Sequence, residues 1–230
     1  MSNNLTNPSI SLDRILGVST LSNSTLASFP TNESVQFDDN GEVYYAAGCV
    51  TVRYSAADNK QIDFYTADKP VSCIATAYCS SIKTISQGVK KPDIRKELEE
   101  FLGDGSDDED VRRYLEVGER GHNPSIIIWD IDSNQRVCEL IGAHKHGIGS
   151  VCFSPNGKLL ITIGFKYDKQ LIIWDWRNNY NGQKLSVQKL GNKVNSISYH
   201  PSGEYFVTAG DRHLKVHLII HAVIFKLCLY

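Results

Sequence analysis

Histidine and aspartate residues at fixed spacing from aromatic residues are the side chains of this chain that could do chemistry. Asp168 lies six residues before Trp174, Asp211 lies six residues before His217, and His144 precedes both pairs. A histidine near an aspartate can activate a nucleophile, but no Ser or Cys occupies the glycine-flanked turn in which hydrolases present one. A buried chain of hydrogen bonds through His144, Asp168 and Trp174 needs no reaction. The spacing therefore predicts structural hydrogen bonds and no catalytic residue.

Metal and phosphate chemistry have little support in the sequence. His144 and His146 form an H-x-H pair and His122 lies upstream, but no carboxylate or thiolate falls at ligand spacing with them. The glycines match neither the P-loop pattern nor the dinucleotide-binding fingerprint. We therefore expect no metal ion and no cofactor.

Binding to nucleic acid or to a membrane is not indicated either. The 24 Lys and Arg residues are balanced by 26 Asp and Glu residues, so the chain has no overall basic character. Trp129, Trp174 and Trp176 lie in apolar strand segments, where a core or interface role is expected instead of base stacking. The apolar run at 216–230 is interrupted by polar residues and is shorter than the ~20 residues that span a bilayer. The expected partners are proteins.

The acidic stretch at 104–110 offers one candidate modification site. Ser106 is followed by four consecutive acidic residues, a context that suits acid-directed kinases. A phosphate there would add about −1.5 to −2 charge to an already negative segment. An unmodified, solvated acidic loop is the alternative.

The elements that position these residues repeat along the chain. Residues 126–130 and 171–175 are near-identical apolar segments, and their Trp129-Asp130 and Trp174-Asp175 endings lie 45 residues apart. The turns around Pro155 and Pro201 repeat after 46 residues. A period of about 40–45 residues that ends in Trp-Asp is typical of WD40 blades, each a four-stranded sheet of a β-propeller. The sequence therefore predicts an all-β fold, a partial WD40 β-propeller.

About four blades are predicted, because β-branched and aromatic runs alternate with turn residues. Their expected strands lie near 11–16, 42–46, 48–54 and 61–65 in the first blade; 71–77, 114–118, 124–130 and 135–140 in the second; within 149–190 in the third; and at 194–199, 204–208 and 214–218 in the fourth. The second blade has Asn123 at the place of Asp168, and the fourth has His217 at the place of Trp174. Four blades do not close a ring that normally takes six or more.

Three segments lie outside this repeat. Residues 1–10 are expected to be disordered, and residues 219–230 carry neither a turn signal nor a repeat, which favours a non-repeat tail of a truncated product after a propeller at 11–218. An insertion at about 80–113 interrupts the second blade. Pro92 and Gly103 suit the ends of a short helix, which the acidic loop 104–110 follows. A long insertion of this kind is functional or disordered.

Composition indicates a cytoplasmic protein. Hydrophobic residues make up 41% of the chain and charged residues 22%, as in soluble globular proteins. The six cysteines include no C-x-x-C pair, which favours free thiols over a disulfide framework. The N-terminus has no secretory signal.

The order of motifs resembles one WD40 family in particular. The chain is similar to the N-terminal propeller of the large WD-repeat scaffolds that bind mitogen-activated protein kinases and act at spindle poles, in the motifs at 12–17, 46–50, 118–124, 144–147, 175–176 and 207–213. The resemblance covers most of residues 11–217 without the insertion. It implies a non-catalytic scaffold with kinase-module or spindle and centrosome partners. It also implies a cytoplasmic location, at the cytoskeleton or spindle pole.

Two other functions remain open at this level. The propeller could serve another assembly, either a microtubule or ciliary structure or a ubiquitin-ligase adaptor. An enzyme would require carboxylates or a metal cluster converging at one end of the ring, and the sequence offers neither. Fold class alone does not decide among these functions.

Overall fold

The computed structural model of the chain contains sixteen β-strands in four antiparallel sheets. It describes residues 15, 34–38, 40–80, 111–165, 167–177, 180–220 and 223–228, with the backbone alone at 79, 80, 220 and 223–228. Within each sheet the four strands neighbour one another in chain order. We number these sheets blade 1 to blade 4, and the four blades expected from the repeat are thereby confirmed.

Each blade takes four consecutive strands. Blade 1 contains β1 (Val35–Phe37), β2 (Glu42–Ala47), β3 (Val50–Ser55) and β4 (Lys60–Thr66). Blade 2 contains β5 (Val71–Ser80), β6 (Val111–Glu119), β7 (Ile126–Asp130) and β8 (Gln135–Leu140). Blade 3 contains β9 (Ile148–Phe153), β10 (Leu159–Gly164), β11 (Gln170–Asp175) and β12 (Gln183–Lys189). Blade 4 contains β13 (Val194–Tyr199), β14 (Tyr205–Gly210), β15 (His213–Ile220) and β16 (Val223–Cys228).

Blade 1 begins later than the sequence predicts. Its first strand is β1, and the strand expected at 11–16 lies outside the described residues except for Ile15, which is not in a strand. The Ile15 backbone N–H donates to Gln61 Oε1 at 2.9 Å, and Gln61 Nε2 donates back to the Ile15 carbonyl at 2.6 Å. Ile15 therefore lies beside the outermost strand of blade 1.

Blade 4 has a fourth strand that the sequence analysis did not predict. β16 pairs with β15 from Lys215 opposite Cys228 to Ile220 opposite Val223. Residues 219–220 and 223–228 thus belong to this sheet and do not form a separate tail. The two residues between the strands are His221 and Ala222, neither of which carries the usual turn signal of Gly, Asn or Asp.

The strands of blade 2 continue into the predicted insertion. β5 reaches Ser80 and β6 starts at Val111, which are paired with each other. The insertion between these strands is therefore residues 81–110. The predicted helix and acidic loop, including Ser106, lie outside the described residues.

Three apolar clusters join the four blades in a row. The first, between blades 1 and 2, includes Tyr44, Tyr65 and Leu115. The second, between blades 2 and 3, includes Tyr114, Trp174 and Trp176, and the third, between blades 3 and 4, includes Leu171 and Phe206. Because neighbouring strand residues point to opposite faces, adjacent residues such as those at 114 and 115 serve different clusters. Blades 2 and 3 are buried on both faces, which explains their uninterrupted apolar runs.

The blades present two ends and an inner groove. The connector end holds the links between blades and the turns between second and third strands, at 48–49, 67–70, 120–125, 141–147, 165–169, 190–193 and 211–212. The turn end holds the other strand connections. The innermost strands β1, β5, β9 and β13 line a groove of about 640 Å³. No helix of the described part of the chain is long and apolar enough to cross a membrane.

Candidate functional site

A threonine is the centre of the hydrogen bonds inside blade 3. Trp174 Nε1–H donates to Thr162 Oγ1 at 3.1 Å, and His144 Nε2 lies 3.1 Å from the same oxygen. An indole N–H can only donate, so Thr162 Oγ1 accepts from Trp174, and the hydroxyl hydrogen remains available to His144 Nε2. This arrangement fits a neutral imidazole. All three side chains are buried.

Asp168 accepts hydrogen bonds from the backbone and not from the His144 imidazole. Its two carboxylate oxygens accept the backbone N–H groups of Lys145 and His146, both at 3.1 Å. His144 Nδ1 has no hydrogen-bond partner among the described residues. The sequence analysis expected one chain through His144, Asp168 and Trp174. The structure has two separate arrangements and adds Thr162, a polar residue in an otherwise apolar strand.

Close packing explains the glycine at the end of β10. A Cβ atom on Gly164 would lie 2.4 Å from His144 Nδ1 and 2.7 Å from Asp168 Cβ, which no side chain allows. Burial lowers the pKa of His144 to about 4, although the charge of Asp168 opposes that shift. His144 is therefore uncharged at neutral pH, and it does not titrate near pH 7. Its role is structural.

Blade 4 has the same centre with different partners. Thr208 Oγ1 lies 2.9 Å from His217 Nε2 and 2.8 Å from His213 Nε2. The His217 ring stacks on the Phe206 ring with centroids 4.5 Å apart and an interplanar angle of 1°. Asp211 is exposed and accepts a hydrogen bond from Asn195 Nδ2 at 3.1 Å. It thus lies at the expected turn but contacts neither histidine by a hydrogen bond.

Blade 2 lacks this centre. Val117 lies 12 residues before Trp129, as Thr162 lies 12 residues before Trp174, so the hydroxyl is missing. Trp129 Nε1 accordingly has no partner among the described residues. The ring instead packs edge-on against Tyr65, with centroids 5.6 Å apart.

In blade 2, Glu119 has the role that Asp168 has in blade 3, although it lies at a different position of the repeat. It is fully buried at the end of β6, and its carboxylate accepts the backbone N–H groups of Asp68, Lys69 and Ser125 at 2.9, 3.1 and 2.9 Å. The sequence analysis assigned this place to Asn123, whose backbone N–H instead donates to the Lys145 carbonyl. The signal available in the sequence was a carboxylate in the last position of the strand, directly before the turn.

The third tryptophan lies at the interface between blades 2 and 3. Trp176 Nε1–H donates to the Gly157 carbonyl at 2.9 Å. Its ring meets those of Tyr114 and Phe153 edge-on, at centroid distances of 5.0 and 5.8 Å. Trp176 therefore packs in the core and is not available to stack on a ligand.

Ion pairs at the turn end fasten blade 1 to blade 2. Arg53 makes a two-pronged pair with Glu42, both contacts at 2.7 Å, and Arg113 of blade 2 reaches Glu42 at 3.1 Å. Arg113 also holds Asp132 at 2.7 Å. Burial would raise the pKa of Glu42, but the hydrogen bond and charge of Arg53, with the charge of Arg113, hold that pKa below its ordinary value. These groups are structural in the same sense as the threonine centres.

The connector end carries exposed side chains between blades 2 and 3. Tyr167 is 67% exposed and Ile141 is 64% exposed. The His146 ring meets the Tyr167 ring edge-on at a centroid distance of 6.4 Å. No group of three or more His, Cys, Asp or Glu residues in the described part of the chain has the geometry of a metal site.

The repeated sheets and their threonine centres coincide with a known repeat. The family model described as "WD domain, G-beta repeat" matches residues 134–175 and 183–217, which cover the two blades built on Thr162 and Thr208. The chain contains WD40 repeats. Each match runs from the last strand of one blade into the third strand of the next, so the sequence repeat and the sheet are offset by one strand.

Several proteins are similar to this chain over nearly half of its length or more. WD repeat-containing protein 62 of Sus scrofa is 30% identical over 207 residues, which is 90% of this chain and 11% of that protein. Mitogen-activated protein kinase-binding protein 1 of Mus musculus is 30% identical over 206 residues, again 90% of this chain and 11% of that protein. The chain thus spans about a tenth of the length of these relatives. Cilia- and flagella-associated protein 52 of Macaca fascicularis is 30% identical over 109 residues, 45% of this chain and 19% of that protein.

Proposed function

We propose that this chain is a non-catalytic protein-interaction scaffold that docks partner proteins at the connector end of blades 2 and 3. One observation carries the proposal. The two polar groups with catalytic potential, His144 and Asp168, are engaged in structural hydrogen bonds of blade 3 and its preceding link. Tyr167 and Ile141, which lie near them in the sequence, are exposed. Aromatic side chains on a rigid support are typical anchors of protein interfaces.

The partners proposed are components of a mitogen-activated protein kinase module or of the spindle pole and centrosome. The name of mitogen-activated protein kinase-binding protein 1 and the likeness of this chain to it support the first group. The family resemblance described from the motifs supports the second. The proposed location is the cytoplasm, at the cytoskeleton or spindle pole.

A second candidate is a role in a ciliary or flagellar assembly. The likeness to cilia- and flagella-associated protein 52 over 109 residues favours it. The two candidates share the docking surface and differ in the proteins that occupy it.

Proximity labelling in dividing and ciliated cells tests both candidates. The full chain, fused to a labelling enzyme, is compared with the variant Tyr167→Ala/Ile141→Asp and with the matched control Tyr180→Ala/Val187→Asp. Tyr180 and Val187 are 56% and 53% exposed, and they lie before and within β12, outside the links and turns of the connector end. We expect the first variant to lose labelled kinase-module or spindle-pole proteins and the control to retain them. Labelling that is equal in all three proteins contradicts the proposed docking surface, and loss of ciliary proteins alone favours the second candidate.

A further inference from the structure

Charge is distributed unevenly along the chain. Residues 141–220 contain ten Lys and Arg residues and four Asp and Glu residues, whereas residues 1–140 contain 13 and 22. The near-zero net charge therefore hides a basic pair of blades, 3 and 4, beside an acidic N-terminal part. Such asymmetry points to a charged partner.

The structure collects much of the basic part at the connector end. Lys145 lies in the link before blade 3, Lys169 in the turn before β11, Lys189 at the end of β12, and Arg212 in the turn before β15. Hydrogen bonds that each involve at least one backbone group hold these segments side by side. Lys145 N–H donates to Asp168 and Leu190 N–H donates to the Lys169 carbonyl. Asn192 Nδ2 donates to the Arg212 carbonyl.

Nearby carboxylates offset only part of this positive charge, since two of them lie among the four basic residues. Asp168 and Asp211 are the acidic residues of these turns, and their hydrogen bonds go to backbone N–H groups and to Asn195 respectively. Among the residues that the structure describes, none of the four basic side chains at 145, 169, 189 and 212 forms an ion pair within 4 Å. All four residues are exposed. By contrast, Arg53 and Arg113 at the turn end are paired with carboxylates.

An exposed apolar area adjoins these charges. Tyr167 is two residues before Lys169, and Ile141 is four residues before Lys145 in the link that precedes blade 3. A ligand that contacts both areas carries negative charge and at least one apolar or aromatic side chain. The acidic N-terminal part of the chain would repel a long polyanion, which disfavours nucleic acid.

We propose that the connector end of blades 3 and 4 binds an acidic peptide segment of a partner protein. Its Asp and Glu side chains pair with Lys145, Lys169, Lys189 and Arg212, and an apolar side chain of the same segment packs on Tyr167. This inference rests on the proposed docking function and names the chemistry of the docked segment. Complementary charge of this kind selects the partner and speeds its association.

Fluorescence anisotropy with the full chain tests the proposal. The probe is a labelled synthetic peptide in which Glu alternates with Leu and Phe, and the reference peptide has Gln at every Glu. The variant Lys145→Glu/Lys169→Glu is compared with Lys60→Glu/Lys158→Glu, which makes the same charge change on exposed residues of the turn end. Circular dichroism spectra establish that both variants are folded.

We expect the Glu peptide to bind and the Gln peptide to bind at least about tenfold more weakly, with a Kd that rises with salt. The variant Lys145→Glu/Lys169→Glu should weaken binding about tenfold or more, and the turn-end variant should bind like the original chain. Equal weakening in both variants overturns the proposal, because it shows an effect of net charge alone. Tighter binding of a labelled single-stranded oligonucleotide also overturns it.

The two proposals fail in different ways. If the Gln peptide binds as well as the Glu peptide and Tyr167→Ala abolishes both, the docking surface stands and the acidic partner is wrong. If neither peptide binds and proximity labelling is unchanged by Tyr167→Ala/Ile141→Asp, the docking function itself is wrong.

Discussion

His217 occupies in blade 4 the position that Trp174 occupies in blade 3. Each residue reaches a threonine hydroxyl of the neighbouring strand through a ring nitrogen, at 2.9 Å to Thr208 and 3.1 Å to Thr162. His217 also stacks on Phe206, which compensates for part of the ring area that a tryptophan would supply. The hydrogen bond to threonine is therefore preserved, while the ring that makes it changes from an indole to an imidazole.

Removing the Thr162 hydroxyl should destabilise blade 3. Thr162→Val leaves the buried Trp174 N–H and His144 Nε2 without their partner, which costs about 1–3 kcal/mol in the free energy of unfolding. Thr162→Ser keeps the hydroxyl and should lose less. Denaturant unfolding measures both, and a Val variant as stable as the Ser variant contradicts the role of the hydroxyl.

Truncation of Trp174 should be more damaging. The residue is 2% exposed and packs in the cluster between blades 2 and 3, so Trp174→Ala should cost about 3–5 kcal/mol. Tyr180→Ala, at an exposed position, is the control and should leave the thermal midpoint nearly unchanged. An unchanged midpoint in Trp174→Ala would remove this residue from the core.

Acidification should destabilise the protein through His144. Its folded pKa of about 4 lies below the ordinary value near 6.5, so the unfolded chain binds a proton more readily between these values. The stability that neutral His144 contributes is complete above pH 6.5 and is lost as the pH falls toward 4, by up to about 3 kcal/mol.

The variant His144→Leu isolates this effect, since Leu190 lies at the same offset before blade 4 and is buried. Its unfolding free energy should fall less between pH 7 and pH 4 than that of the original chain. Identical pH profiles for the two proteins would refute the assignment.

Ser106 is proposed as a phosphorylation site on sequence grounds. An acid-directed kinase should place one phosphate on Ser106 of the full chain, because acidic residues occupy the four following positions. Neutralising two of them with Glu109→Gln/Asp110→Asn should slow the reaction, and mass spectrometry locates the phosphate. Modification at another serine, or at the same rate after neutralisation, argues against the site.

Most strands of this fold were predictable, and the hydrogen-bond centres were only partly so. Both faces of blades 2 and 3 are covered, so consecutive residues of β7 and β11 are apolar. The apolar runs at 126–128 and 171–173 therefore predicted buried strands. The partners of Asp168 and Glu119 are backbone N–H groups, and these carry no side-chain signal. Glu119 accepts backbone N–H groups as Asp168 does, but it lies at the strand end, where blade 3 has Gly164. The assignment to Asn123 was wrong because it assumed the same distance in sequence from the tryptophan in both blades.

Strand β16 was not predicted for a different reason. Sequence reasoning located strands by the turns between them, and the His221-Ala222 connection has no turn residue of the usual kind. The strand is instead stabilised by pairing with the free edge of β15, from Lys215 to Ile220. Strand β16 is thus determined by its pairing with β15 and not by a local turn sequence.

The linear order of the three interblade clusters has a consequence for how the molecule comes apart. Blades 2 and 3 each share two clusters, whereas blades 1 and 4 each share one within the described part of the chain. Stability in such an array is approximately a sum over units and their nearest neighbours, so unfolding can start at an outer unit and advance inward. Hydrogen exchange should then be slowest at the amides of β7 and β11, and denaturation need not follow a two-state curve. Cooperativity in this protein is thus a local property of adjoining sheets.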